Sequence, residues 1–255
     1  MSRKILAASG MAVYAFLYLP LLIVVVYSFN DSRLNAEWVG FTWHWYKALL
    51  EDDAMLKAAG NSLLIAVTAS LASTVLGTMA GYALYRYKLK LLPVLVMAPL
   101  AIPEILVGVS LLIFYVSINL TLGLGSIILS HIAFCVGFVA IVVRSRLSGM
   151  DESLPEAARD LGATPWQAFR LITLPLIAPG IVAGALLAFT LSIDDFVITF
   201  FTAGVGASTL PLQIYSMIKI SVTPEVNAIS TLLMLLTLFI IVAASRISPD
   251  SIRAK

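Results

Sequence analysis

Six long apolar runs separated by polar stretches set the pattern of this chain, at about residues 11–29, 62–84, 91–118, 126–143, 177–201 and 227–244. A helix needs roughly 20 apolar residues to cross a hydrocarbon core about 30 Å thick. The pattern therefore predicts an all-α, polytopic membrane protein with six spanning helices. The ten-residue alternation of a membrane β-barrel is absent from these runs. Pro93, Pro99, Pro103 and Glu104 interrupt the third run, which predicts a kink or a break there. Arg3 and Lys4 precede the first run, yet no small-residue cleavage site follows it and Asn30-Asp31 comes directly after. It is expected to remain as a helix.

Composition agrees with the pattern. Apolar residues make up 60% and charged residues 12% of the 255 positions, against about 45–50% and about 25% in ordinary soluble domains. This composition speaks against a soluble enzyme and excludes a disordered chain. The single cysteine, Cys135, rules out an intrachain disulfide and a thiolate metal cluster. His44 and His131 fall in different segments and suggest no metal site. With the N-terminus inside, only Arg33, Lys47, Lys57 and Lys219 of the 16 Lys and Arg fall in outer segments. Such a bias supports six spans with both termini on the inner side. The first outer loop carries the aromatic stretch Phe41-Thr42-Trp43-His44-Trp45-Tyr46, which suits either an interfacial helix or a docking surface for an external partner.

The most informative stretch joins the fourth and fifth runs, at 144–178. Pro155 suits a first helical position and Gly162 the residue just past a helix end. Thr164, Pro165 and Gln167 form a capping-box pattern. Two short helices with a sharp turn between them are expected along the inner face. Leu161, Trp166 and Phe169 are their candidate contact groups. An amphipathic connector resting on headgroups and a protein-docking knob both fit these features.

Within this stretch Glu156-Ala157-Ala158, then Gly162, then Ile172, Leu174 and Pro175 resemble the EAA signature of binding-protein-dependent ABC importer permeases. Tyr18-Leu19-Pro20, Tyr27-Ser28-Phe29-Asn30, Ser130-His131-Ile132-Ala133-Phe134-Cys135 and Ser192-Ile193-Asp194-Asp195-Phe196 extend the resemblance to the spermidine/putrescine transport permeases. The resemblance implies the type I importer permease fold and a polyamine substrate. It implies that residues 156–175 couple to an ATPase. The implied domains are an N-terminal helix and periplasmic loop at 1–60, the permease domain at 61–245 and a cytoplasmic tail at 246–255. The implied partners are a paralogous permease subunit, two cytoplasmic ATPase subunits that hold ATP and Mg2+, and a periplasmic binding protein in a bacterial inner membrane. This chain itself is expected to bind no cofactor or metal, to contact no nucleic acid and to be no enzyme. It has no GxxxxGK[ST] phosphate loop. The alternatives are a permease of the same ABC class for another cationic or small organic solute, and a secondary transporter or channel outside that class.

Glu104, Asp194 and Asp195 are the only acids within the six runs, and no lysine or arginine lies in the runs to pair with them. A carboxylate at mid-membrane costs about 2.5–3.5 kcal/mol on insertion scales. Such a group faces a cavity, a neighbouring subunit or a helix end. In regular helices both sites would lie in the outer half of the membrane. Adjacent residues point about 100° apart on a helix, so only one of the two aspartates can face a passage unless the helix breaks. Glu104 and one aspartate are the expected passage-lining acids for a polycation. Tyr215, in the outer stretch 202–226, is the aromatic candidate.

Overall fold

The computed structural model describes residues 3–32, 37–87, 90–221 and 223–247. Among them the regular elements are all helices, with one isolated antiparallel bridge between Asn30 and Phe41. The helices are α1 (Arg3–Tyr27), α2 (His44–Glu51), α3 (Asp53–Arg86), α4 (Leu92–Ala101), α5 (Glu104–Ser117), α6 (Leu124–Ser148), α7 (Ser153–Asp160), α8 (Pro165–Ala168), α9 (Leu174–Ile193), α10 (Val197–Thr202), α11 (Leu210–Ile220) and α12 (Pro224–Ile247). A π-helical turn, Phe169–Thr173, joins α8 to α9.

Four described helical runs are long and apolar enough to cross a membrane: α1, α3, α6 and Pro165–Ile193. The pair α4–α5 supplies up to one more and is bent by 113°. The apolar part of α12 that qualifies, Pro224–Ile240, is shorter. The bend falls where the prolines predicted an interruption. Ile102 is extended at φ −88°, ψ 136°, because Pro103 clashes with a helical residue before it and offers no N–H.

Two expectations are corrected. The run 177–201 is not one helix, since α9 stops at Ile193 and α10 starts at Val197. The second short helix of the connector is not a separate element along the inner face. It continues through the π turn into α9 as one helical run, Pro165–Ile193. Pro175 removes a donor near this junction, and the N–H of Leu174 reaches back five residues to the carbonyl of Phe169.

The chain divides into two compact units, Met1–Lys57 with Leu212–Leu238 and Ala58–Pro211 with Phe239–Lys255. In the first, Phe29 stacks on Phe41 at 5.1 Å and meets Trp43 edge-on at 4.9 Å. Buried Asn30 accepts from Val39 N and donates to the Glu37 carbonyl, and Trp45 Nε1 donates to the Asn30 carbonyl. The aromatic stretch of the first loop is therefore a built structure.

In the second unit α6 is the centre. Val139, Ala140, Val143 and Leu147 are fully buried. Two small-residue pairs at i, i+4 bring neighbours close to it. Gly77 and Gly81 of α3 face Val139, Ala140 and Val143, while Gly180 and Gly184 of α9 face Arg146 and Val139. A Cβ on Gly77 would lie 2.5 Å from the Val139 Cβ and 2.9 Å from the Val136 carbonyl. Gly77→Leu should therefore overpack the α3–α6 contact at about 1–3 kcal/mol. A thermal melt of the detergent-purified protein should show a clear fall in Tm, and an unchanged Tm would remove this account of the contact.

Candidate functional site

The connector forms its expected caps at Gly162 and Thr164, whereas Pro155 falls at the third residue of α7 and not at the first, because the helix already starts at Ser153. Helix α7 ends in a Schellman motif: Gly162 N–H donates to the Arg159 carbonyl at 2.9 Å and Ala163 N–H to the Ala158 carbonyl at 3.0 Å. Gly162 sits at φ +93°, where a Cβ is strained. The spacing between Ala158 and Gly162 is thus the spacing of one helix end. Thr164 and Gln167 close a reciprocal capping box, with Thr164 N to Gln167 Oε1 at 2.8 Å and Gln167 N to Thr164 Oγ1 at 3.3 Å. Ahead of α7, hydrogen bonds with Ser153 hold the exposed Asp151 carboxyl below the usual carboxylate range.

Glu156 and Ala157 are exposed, and Ala158 is half-buried. Leu161 is 90% exposed and Trp166 is 66% exposed. Large apolar groups stand unburied on both sides of the Gly162 turn. Behind them the connector is tied to the end of α3. Tyr85 donates to Glu152, and Tyr82 meets Phe169 edge-on at 5.0 Å. Trp166 stacks on Phe169 at 5.7 Å. A hollow of about 130 Å³ opens here between Tyr82, Tyr85, Glu152, Glu156, Arg159 and Phe169. Ile172 lies half-buried in the π turn, and Leu174 and Pro175 begin α9. The connector is thus continuous with α9 through the run Pro165–Ile193 and packed against the end of α3.

The second constellation lies at the two helix breaks, which the packing of α10 on α5 brings to one place. A Cβ on Gly108 of α5 would lie 2.7 Å from the Phe201 ring of α10. Glu104 opens α5 directly after the bend and is exposed, its carboxylate at the favourable end of the helix dipole. Asp194 terminates α9 and is also exposed. The helix that Glu104 opens packs against α10, which follows the two aspartates. The two aspartates themselves part company. Asp195 is buried, accepting from Ile198 N at 3.3 Å and from Thr199 N and Oγ1 at 2.8 Å each. His131 of α6 stands 3.1 Å from it. The sequence expectation that these acids lack a partner inside the chain thus fails for Asp195. Tyr215 lies on α11, in the first unit, and is 47% exposed.

His131 is the residue the sequence reading passed over, because histidines were weighed only as metal ligands. A usable signal was present. Ser126, Ser130 and His131 are polar positions in an apolar run, and a polar group at membrane depth needs a partner. Ser130 meets Tyr115 at 2.9 Å, and Ser126 donates to the Thr202 carbonyl at 2.8 Å. The polar edge of α6 holds α5 and α10 in place.

Residues 73–252 match the family described as binding-protein-dependent transport system inner membrane component. The chain is 43% identical over 242 residues to the spermidine/putrescine transport system permease protein PotC of Escherichia coli K12, covering 94% of this chain and 92% of that one. It is 45% identical over 231 residues to the putrescine transport system permease protein PotI of the same organism, covering 87% and 82%. Among solved structures, a chain of the MetNI methionine ABC transporter in an inward-facing conformation aligns with a TM-score of 0.66 at 25% identity, over 78% of this chain and 96% of that one. A chain of a bacterial ABC transporter that imports alginate aligns with a TM-score of 0.74 at 18% identity, over 99% and 95%, and shares the fold.

Proposed function

The chain belongs to the binding-protein-dependent transport system inner membrane components, and on that premise we propose that it is the permease subunit of an ATP-driven polyamine importer. It pairs with a second, related permease subunit to enclose the passage. Two cytoplasmic ATPase subunits bind ATP and Mg2+, and an external binding protein delivers the amine. The chain itself makes and breaks no covalent bond. It sits in the bacterial inner membrane with both termini inside, as the lysine and arginine bias favours. Of the residues in that bias, Arg33, Lys88, Arg253 and Lys255 lie outside the described residues.

Glu156, Ala157, Leu161 and Trp166 present the surface on which the ATPase seats. The Gly162 turn holds the two halves of that surface in register, and Phe169, Ile172, Leu174 and Pro175 carry its displacement into α9. Substrate meets Glu104 and Asp194 at the helix breaks, where carboxylates in an apolar setting attract ammonium groups strongly. Tyr215, on α11 in the first unit, is a separate aromatic group for a cation–π contact along the amine's path. The domain division at 1–60, 61–245 and 246–255 follows the same reading, although residues 248–255 of the tail lie outside the described residues.

The observation that carries the polyamine reading is the pair Glu104 and Asp194. They are exposed acids in apolar runs that contain no lysine or arginine, in a chain similar to two polyamine permeases. The test is ATPase activity of the reconstituted whole complex, with its binding protein, across spermidine, putrescine, monoamines and neutral polyols. Stimulation by the di- or triamines is expected. Stimulation by a neutral solute alone would overturn the substrate class and leave the permease role standing.

A further inference from the structure

His131 is 2% exposed, about two turns into α6, and its three partners, Ser192, Asp195 and Thr199, span the break between α9 and α10. Its proton can be placed by elimination. The backbone N–H and the hydroxyl of Thr199 both donate to Asp195 Oδ2. The single hydroxyl proton of Thr199 is thereby used, so Thr199 Oγ1 can only accept from His131 Nε2, 2.9 Å away. Nε2 therefore carries hydrogen, directed at Thr199 Oγ1 and at Asp195 Oδ2, 3.1 Å away. Nδ1 pairs with the Ser192 hydroxyl at 2.7 Å. With Nε2–H so placed, every polar side-chain atom of this group has a hydrogen-bond partner.

The consequence lies one residue earlier in the chain. No proline or glycine stands between Leu191 and Thr202 to break the helix. What holds the chain out of helical form at Asp194–Phe196 is the carboxylate of Asp195. It is turned inward to the first turn of α10 and fastened there by α6. With Asp195 turned in, Asp194 is left exposed.

We propose that His131 is a positioning residue that determines which of the two adjacent aspartates faces the substrate. It holds Asp195 in the packed interior, fixes the break after Ile193 and so leaves Asp194 exposed at the end of α9. This role rests on the reading of Glu104 and Asp194 as the substrate-facing pair, and the test separates the two.

The assembled complex is prepared with Asp194→Cys as reporter. The one native cysteine, Cys135, is fully buried, so background labelling by a small cationic methanethiosulfonate should be low. Labelling of the reporter should be at least five-fold slower when His131→Ala is added. His131→Gln should restore it, because the glutamine amide places an N–H near the position of Nε2. In parallel, with Asp194 intact, His131→Ala should raise the KM for the amine per assembled complex and His131→Gln should not. A loss of packing alone would lower the yield of complex and leave both readings unchanged in what survives. Should His131→Ala fail to assemble, Ser192→Ala removes only the Nδ1 contact and should slow labelling two- to three-fold. Equal labelling rates with and without the histidine, or with and without the serine in that case, overturn the proposal. Altered labelling with an unaltered KM would instead keep the positioning role and remove Asp194 from the substrate's path.

Discussion

Gly162→Val should reduce ATP-driven uptake at least ten-fold while the membrane helices stay folded. Gly162 adopts φ +93°, a conformation that costs an L-residue about 1–2 kcal/mol and a β-branched one more. The chain can escape that cost only by abandoning the cap. The carbonyls of Ala158 and Arg159 then lose their donors, and the path from Leu161 to Thr164 changes direction. Nothing in the packed core touches this residue, since a Cβ at Gly162 would meet no atom within 4 Å. The damage is therefore confined to the relation between α7 and α8. Co-purification should show the ATPase subunit lost from the complex, and Gly162→Ala should give a milder form of the same defect. Wild-type uptake in Gly162→Val would remove the connector from the energy path.

Neutralising both exposed acids, Glu104→Gln with Asp194→Asn, should lower uptake at sub-saturating amine by about 100-fold or more. Each carboxylate offers a hydrogen bond to a charged group, at about 1.5–3 kcal/mol, and 1.4 kcal/mol corresponds to a factor of ten. The amides keep volume and shape, so assembly with the ATPase should be preserved. Single substitutions should fall between the double variant and the wild type. Concentration-dependent uptake of labelled spermidine measures this directly, and an unchanged KM in the double variant would sink the passage assignment.

The legible parts of this protein were those decided within a few residues. Pro103 withholds an N–H and constrains Ile102, so the interruption before Glu104 could be read from the chain. Gly162 and the Thr164–Gln167 box announce their caps in the same local way. The π turn was not legible, because a choice between i→i+4 and i→i+5 bonding is settled by what the run packs against. The break at Asp194–Phe196 was visible only as an alternative. Two adjacent acids in an apolar run said that something must give, but the residue that settles it, His131, belongs to another helix. The small-residue pairs Gly77–Gly81 and Gly180–Gly184 stand openly in the sequence. That both meet Val139 could not be known before the helices were placed.

The helical run Pro165–Ile193 is held to α6 over most of its second half: Arg146 donates to the Leu176 carbonyl, Gly180 and Gly184 pack on Arg146 and Val139, and His131 meets Ser192. At about 1.5 Å of rise per residue, roughly 17 Å of helix, from Pro165 to Leu176, precede the first of these ties. A displacement at the Trp166 end therefore reaches two helices clamped as a pair, so that whatever moves α9 carries α6 with it.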